Sequence, residues 1–226
     1  MRSNDAREAF SRLVRNPAIV TVDLHRGHLD PEVATLPLPA DRSAALVERC
    51  RVFLDAAREL DVPIVHVITA YRDRAEILSN PYWSFQAQRP GSKRTNIAEH
   101  NLEGLPGLQM MPQLVADGDV YVTTKKRYDC FIGTDLEFIL RSGGHDGLIV
   151  LGVNTNSCIL ATSVAAAVRD FAVFILDEGV DSMMGAELDD AARRVLDASF
   201  GWVIGADDTL DALRAVGAGA GAGAET

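Results

Sequence analysis

The chain has 226 residues, 47% of them hydrophobic and 24% charged, which predicts one globular domain with a sizeable core. Its formal net charge of −10 argues against a nucleic-acid or anionic-membrane partner, because either would require a basic surface. Three irregularly spaced cysteines predict no disulfide framework and no zinc site, so a reducing cytoplasm is the expected location. The chain starts without a signal-peptide pattern, and no apolar run is long enough to span a bilayer.

Six short apolar segments, rich in β-branched residues, are typical of strands covered on both faces. They are residues 18–22, 63–68, 120–123, 147–151, 172–176 and 201–204. Helical patterns lie between them over residues 41–59, 134–141, 157–171 and 187–199. This alternation predicts right-handed crossovers and a three-layer α/β/α, Rossmann-like, doubly wound and mostly parallel six-stranded sheet.

Two segments fall outside this regular pattern. Residues 71–113 are rich in Pro, Gly, Asn and Arg and are too long for an ordinary connection, so they predict a lid or binding loop. A plain surface excursion or an oligomer contact is the alternative, and Tyr82, Trp83 and Phe85 are its candidates for a pocket wall or interface. Residues 1–214 are predicted to form the single domain, with residues 215–226 as a flexible Gly/Ala tail.

Cys158 is the most informative residue of the sequence. It follows a strand and a short polar turn and stands in the first turn of an Ala-rich helix. Unpaired N–H groups and the positive end of the helix dipole predict a lowered thiol pKa and a nucleophile. A buried packing role is the alternative; it fits Cys50, which falls in a helical pattern, while Cys130 is predicted to lie in a loop.

Two further reactive side chains stand at predicted strand ends. Asp23 ends the first strand, and Lys125 follows the third. Because ligands bind beyond the carboxyl ends of parallel strands, both should meet Cys158 at one edge of the sheet. A thiol that attacks a carbonyl, a carboxylate that moves its proton and a cation that stabilises developing charge form a complementary set. Alone, Asp23 would be a turn residue and Lys125 a solvated charge.

These residues occur in segments that resemble the isochorismatase-like cysteine hydrolase family, which includes nicotinamidases and N-carbamoylsarcosine, biuret and ureidoacrylate hydrolases. The matching segments are VTVDL (residues 20–24), KKRYDCFIGTDL (125–136) and GVNTNSC (152–158). The resemblance implies an Asp23–Lys125–Cys158 triad, in which Lys125 stands three residues before Tyr128. It also implies a cis peptide bond between Val153 and Asn154, backbone N–H groups of Asn154 and Cys158 at the oxyanion, and a homodimer or homotetramer.

The sequence departs from the family after the first strand, where it reads LHRGHLD (residues 24–30). His25, His28 and the nearby carboxylates invite a metal interpretation, but their spacing matches no defined motif. Nicotinamidases bind metal through an Asp-x-His and a later His that the region after the second strand lacks, so no metal and no cofactor is expected. We expect His25 and Arg26 to contact substrate with Tyr128, Trp83 and Phe85, and His28 to lie in the loop wall.

The predicted function is a cysteine amidohydrolase that cleaves a C–N bond of a small amide or carbamoyl (ureido) compound through a thioester. One alternative is an ether hydrolase of the isochorismatase type, against which Cys158 argues because such members commonly lack the cysteine. The other is a non-catalytic Rossmann-like binding module. No G-x-G-x-x-G follows the first strand, so a dinucleotide ligand is disfavoured.

Overall fold

The computed structural model describes residues 3–222 and contains one six-stranded sheet in the order β3-β2-β1-β4-β5-β6, with every neighbouring pair parallel. The strands are β1 (Pro17–Val22), β2 (Ile64–Thr69), β3 (Val120–Lys125), β4 (Gly147–Val153), β5 (Ala172–Asp181) and β6 (Trp202–Ile204). All six predicted strands are therefore present, and the doubly wound sheet is confirmed. Strands β1, β2 and β4 are buried along their whole length, as continuous apolar runs predict.

Helices cover both faces of the sheet. They are α1 (Ser3–Leu13), α2 (Arg26–Leu29), α3 (Ala40–Arg58), α4 (Arg74–Leu78), α5 (Pro81–Gln88), α6 (Leu136–Ser142), α7 (Leu160–Ala167), α8 (Ala186–Ser199) and α9 (Ala206–Ala222). One core packs α1, α3 and α9 against alternate strand residues such as Ile19 and Ile149. The other packs α6, α7 and α8 against the intervening residues, such as Val20 and Val150. This is the predicted three-layer arrangement.

The long segment between β2 and β3 has local order of its own. It holds α4, α5 and three short 3₁₀ helices over Ile97–Glu99, Pro106–Leu108 and Pro112–Leu114. A small separate core of Tyr71, Ile77, Trp83 and Ile97 fixes it over the sheet edge.

The two ends of the described chain are helical. Helix α1 was not among the predicted elements, and α9 continues to Ala222, so residues 215–222 are helical where a flexible tail was predicted. Ala212 and Leu213 anchor this helix in the core, and the alanines at 218, 220 and 222 are good helix formers that help to continue it past the intervening glycines. Residues 223–226 of the predicted tail lie outside the described chain. From residue 3 to residue 222, no helix is both long and apolar enough to cross a membrane.

The order of the sheet reverses between β1 and β4, and their carboxyl ends pack very closely. Gly152 near the end of β4 has a φ of 128°, and a Cβ atom there would lie 2.0 Å from the carbonyl oxygen of Val22. Only glycine allows this approach. The crevice beyond these two strand ends is where open α/β sheets bind ligands.

Candidate active site

Three strand ends bring Asp23, Lys125 and Cys158 together at the carboxyl edge of the sheet. Asp23 follows β1 directly, with a left-handed φ of 57°, Lys125 is the last residue of β3, and Cys158 lies in a π-helical turn, Thr155–Ile159, after β4. The Lys125 Nζ atom lies 2.7 Å from Asp23 Oδ2 and 3.3 Å from Cys158 Sγ. All three side chains are at most 4% exposed. The ammonium group therefore bridges the carboxylate and the thiol.

Thr69, the last residue of β2, completes this cluster and was not singled out from the sequence. Its backbone N–H and its hydroxyl both donate to Asp23 Oδ1, at 2.8 Å each. The same hydroxyl accepts a hydrogen bond from Lys125. Asp23 is thus held by donors on both oxygens, which fixes the carboxylate in place. The position of Thr69 at the carboxyl end of a predicted strand was the one signal in the sequence that could have pointed to it.

The charges of Asp23 and Lys125 stabilise one another. Burial by itself would raise the pKa of Asp23, but the charge of Lys125 opposes this effect, and the pKa lies well below its usual value. Burial by itself would lower the pKa of Lys125, but the carboxylate of Asp23 raises it above its usual value. At neutral pH the two groups form a buried ion pair.

The cysteine behaves differently from the sequence-based expectation of a lowered pKa. Burial, aided by the charge of Asp23 and a hydrogen bond with it, raises the pKa of Cys158 to about 12 against the opposing charge of Lys125. The positive end of one helix cannot offset removal of the thiolate from water. The resting group is therefore a thiol beside a carboxylate that can accept its proton.

Side-chain hydrogen bonds fix the turn that carries the cysteine. The Val153–Asn154 peptide bond is cis, which confirms the expectation from the resemblance. Asn154 Oδ1 accepts from the backbone N–H of Met183, and Asn156 Oδ1 accepts from the hydroxyl of Ser182. The placement of the Asn154 and Cys158 N–H groups around an oxyanion stays a prediction.

A narrow, partly open cavity of about 20 Å³, room for about one water molecule, lies against Cys158 and Lys125. Trp83 and Tyr128, two of the predicted substrate contacts, line it, together with Tyr71 and His100. A larger cleft of about 650 Å³ lies at the opposite, amino-terminal edge of β4, β5 and β6, around Asp146, Phe171 and Trp202. That cleft lies far from the triad, so we assign the chemistry to the smaller cavity.

The other predicted substrate contacts lie elsewhere. Phe85 is 63% exposed and is not among the residues around the cavity. Arg26 points to Asp30 and Gln109, at 2.7 and 2.9 Å. His25 is fully buried and does not line the cavity. His28, which contacts His25, lines it instead. The LHRGHLD segment forms the short helix α2, and a four-residue helix places residues 25 and 28 on the same side.

The side chains of Asp23, His25 and His28 form a compact polar group. One possible ligand atom from each lies within 4.8 Å of the others, so these residues could hold a metal ion. In the structure these side chains also contact one another: His28 Nδ1 lies 3.1 Å from His25 Nε2, which lies 3.5 Å from Asp23 Oδ1. Asp30, the other carboxylate considered from the sequence, is paired with Arg26 instead.

The remaining two cysteines are also buried. Cys50 belongs to the core under α3 and Cys130 to the core on the opposite face. Burial raises the pKa of Cys50 to about 12 and also raises that of Cys130. Cys158 differs from both by its contact with Lys125 and by facing the cavity.

Comparison with known proteins places the chain in a family. Residues 17–208 match the family described as Isochorismatase domain, and the chain belongs to this family. A maleamate amidohydrolase from Pseudomonas putida is 24% identical over 200 residues, covering 88% of each chain. A ureidoacrylate amidohydrolase from Klebsiella pneumoniae is 25% identical over 218 residues, covering 91% of this chain and 90% of its own.

The fold recurs in solved structures. A cysteine hydrolase from Pseudomonas syringae superposes with a TM-score of 0.75 at 21% identity, covering 90% of this chain and 98% of its own. At that level of identity the match concerns the fold. It agrees with the three-layer architecture built from the strands and helices above.

Proposed function

We propose that this protein is a cysteine amidohydrolase acting on a small amide or carbamoyl compound. The observation that carries the proposal is the Lys125 ammonium group, which contacts Asp23 Oδ2 at 2.7 Å and Cys158 Sγ at 3.3 Å beside a small cavity. A nucleophile, a proton acceptor and a fixed cation are thereby assembled around one small volume. The similarity to a maleamate amidohydrolase and a ureidoacrylate amidohydrolase supports the same type of reaction.

The geometry supports a two-stage reaction. In the first stage Sγ bonds to the substrate carbonyl carbon while its proton passes to Asp23, and the C–N bond then breaks as Asp23 protonates the leaving nitrogen. This yields a thioester and free ammonia or amine. In the second stage Asp23 takes a proton from water, the hydroxide bonds to the thioester carbon, and Sγ leaves and regains the proton. The products are a carboxylic or carbamic acid and the original thiol.

Lys125 acts as a charge that does not move. Its raised pKa keeps it protonated throughout, so it offsets negative charge on sulfur and on Asp23 in turn. The raised pKa of Cys158 means that the thiolate is not preformed. Proton transfer to Asp23 must therefore accompany attack, which makes the contact between the two groups essential to the first stage.

Ammonia release from a panel of primary amides, ureido acids, biuret-like compounds and nicotinamide tests this proposal. We expect at least one compound to be hydrolysed, with activity abolished in Cys158→Ala and Asp23→Asn proteins that keep the wild-type circular dichroism spectrum. Acid quenching followed by mass spectrometry should show an acyl adduct on Cys158. A folded Cys158→Ala variant that still hydrolyses substrate would refute the thioester and favour the ether-hydrolase alternative.

Assembly and location belong to the same proposal. We infer a homodimer or homotetramer, supported by the exposed aromatic side chains of Tyr82 and Phe85 on the segment beside the cavity. Light scattering coupled to size exclusion measures this directly, and a monomer at all concentrations would contradict it. A cytoplasmic location is consistent with three free, buried cysteines.

A further inference from the structure

His28 presents an uncommitted nitrogen to the cavity beside the catalytic thiol. The residue is 8% exposed and lines the same small cavity as Cys158 and Lys125. Its Nδ1 atom contacts His25, whereas its Nε2 atom has no hydrogen-bond partner among the residues the structure describes. Because His28 lines the cavity, this nitrogen is available to a molecule that enters beside Cys158.

A chain of hydrogen bonds determines what this nitrogen can do. His25 Nδ1 lies 2.6 Å from the carbonyl oxygen of Gly107, which can only accept, so His25 must carry a proton on Nδ1. In neutral His25 the Nε2 atom is then an acceptor, and it takes the proton that His28 carries on Nδ1, at 3.1 Å. It follows that His28 Nε2 has a free lone pair. The backbone of Gly107 thus sets His28 as an acceptor toward the cavity.

The charge balance of the site supports neutral histidines. Asp23 is already paired with Lys125, so a further buried cation at His25 would lack a counter-ion. The 3.5 Å separation of His25 Nε2 from Asp23 Oδ1 is longer than a charge-assisted hydrogen bond.

The neighbouring His100 cannot serve in the same way. Its Nδ1 contacts the hydroxyl of Thr35 at 2.9 Å, and its Nε2 accepts from the side-chain amide of Asn101 at 3.1 Å. Its ring lies edge-on to that of His28, with centroids 5.0 Å apart, and stacks on Trp83. His100 therefore holds the His28 ring in place and supplies no free polar atom.

We propose that His28 Nε2 accepts a hydrogen bond from an N–H group on the scissile nitrogen, and so favours amide and carbamoyl substrates over esters. The proposal rests on the proposed function, because it assigns the nitrogen side of the bond that Cys158 attacks. His28 and Cys158 line the same cavity, so a group bonded to the carbonyl carbon at Sγ can lie against His28. The lone pair of His28 Nε2 would repel the carbonyl oxygen of the substrate, so that oxygen must bind to hydrogen-bond donors elsewhere in the site.

Two variants distinguish the role of His28 Nε2 as a hydrogen-bond acceptor from the structural role of the His28 contact with His25. In His28→Asn the side-chain amide can still donate to His25 Nε2 but places nothing at the Nε2 position. In His28→Gln the amide reaches the Nε2 position with its oxygen but gives up the contact with His25. His145→Asn, at a partly exposed histidine whose Nδ1 contacts the Asn16 carbonyl at the opposite edge of the sheet, is the matched control.

The assay compares the best primary amide of the panel with the methyl ester of the same acid, which has no N–H group. We expect His28→Asn to lower kcat/KM for the amide about 10- to 100-fold, mainly through KM, because a buried hydrogen bond to substrate is lost. For the ester the same variant should stay within about threefold of wild type. His28→Gln should recover most of the amide activity, and His145→Asn should match wild type.

Two results would overturn the inference. One is an equal loss with amide and ester in His28→Asn, which would mark a purely structural role. The other is loss of wild-type amide activity on chelation with recovery on Zn²⁺ addition, which would assign Asp23, His25 and His28 to a metal. The proposed function fails separately, if the wild-type protein hydrolyses neither the amides nor the esters.

Discussion

Replacing Lys125 by methionine tests the ion pair at the centre of the site. The ammonium group contacts Asp23, Thr69 and Cys158, and both members of the pair are at most 1% exposed. Its removal leaves the Asp23 carboxylate buried without a counter-charge, which costs about 3–5 kcal/mol in the free energy of unfolding. That is a fall of roughly two to three and a half powers of ten in the folded-to-unfolded ratio. Urea denaturation at pH 8 measures it.

A double-mutant cycle separates this effect from lost packing. Asp23→Asn combined with Lys125→Met has no buried charge, so we expect it to be more stable than Lys125→Met alone by about 2 kcal/mol. Without the lysine the pKa of Asp23 should rise, so the deficit of the single variant should shrink as the pH falls from 8 to 5. A loss below about 1 kcal/mol in Lys125→Met at pH 8, or no recovery in the double variant, would refute the reasoning.

Three further predictions concern the cysteine, the buried histidines and the close strand contact. Cys158→Ser should lose essentially all amidase activity, because a hydroxyl beside the same carboxylate is a far weaker nucleophile, while its melting temperature stays near that of wild type; a residual rate above about 1% of wild type would contradict this. Burial lowers the pKa of His100 to about 3, so below pH 6.5 this histidine is protonated in the unfolded chain but not in the folded protein, and the free energy of unfolding falls. Between pH 6.5 and 5 the expected loss is about 2 kcal/mol. Urea denaturation at the two pH values should show a smaller loss in His100→Gln than in wild type. Gly152→Ala should destabilise by at least about 3 kcal/mol because its Cβ would meet the Val22 carbonyl, whereas Gly133→Ala, also at positive φ but in open space, should cost about 1 kcal/mol in thermal unfolding.

The sequence was sufficient to predict the fold and to predict that the three reactive residues lie at the same edge of the sheet. Uninterrupted β-branched runs are typical of strands buried on both faces, and a carboxyl strand end is a position that can be read without coordinates. Asp23 and Lys125 were therefore predicted to share an edge with Cys158, and the structure places their charged atoms 2.7 Å apart. The ends of the chain were harder, because α1 depends on the packing of Ala6 and Phe10 against the core and α9 is anchored there by Ala212 and Leu213.

Two features could be determined only from the tertiary structure: the protonation state of Cys158 and the identity of the residues that line the cavity. Whether a helix start lowers a thiol pKa depends on how much water remains, and the burial of Cys158 reverses the sign that the helix dipole suggests. The sequence does not distinguish His25 from His28. In the structure the carbonyl of Gly107, 79 positions beyond His28, accepts a hydrogen bond from His25, whereas His28 faces the cavity. Local pattern fixes which residues reach the edge of the sheet, whereas hydrogen bonds between distant segments fix which atoms are free to bind.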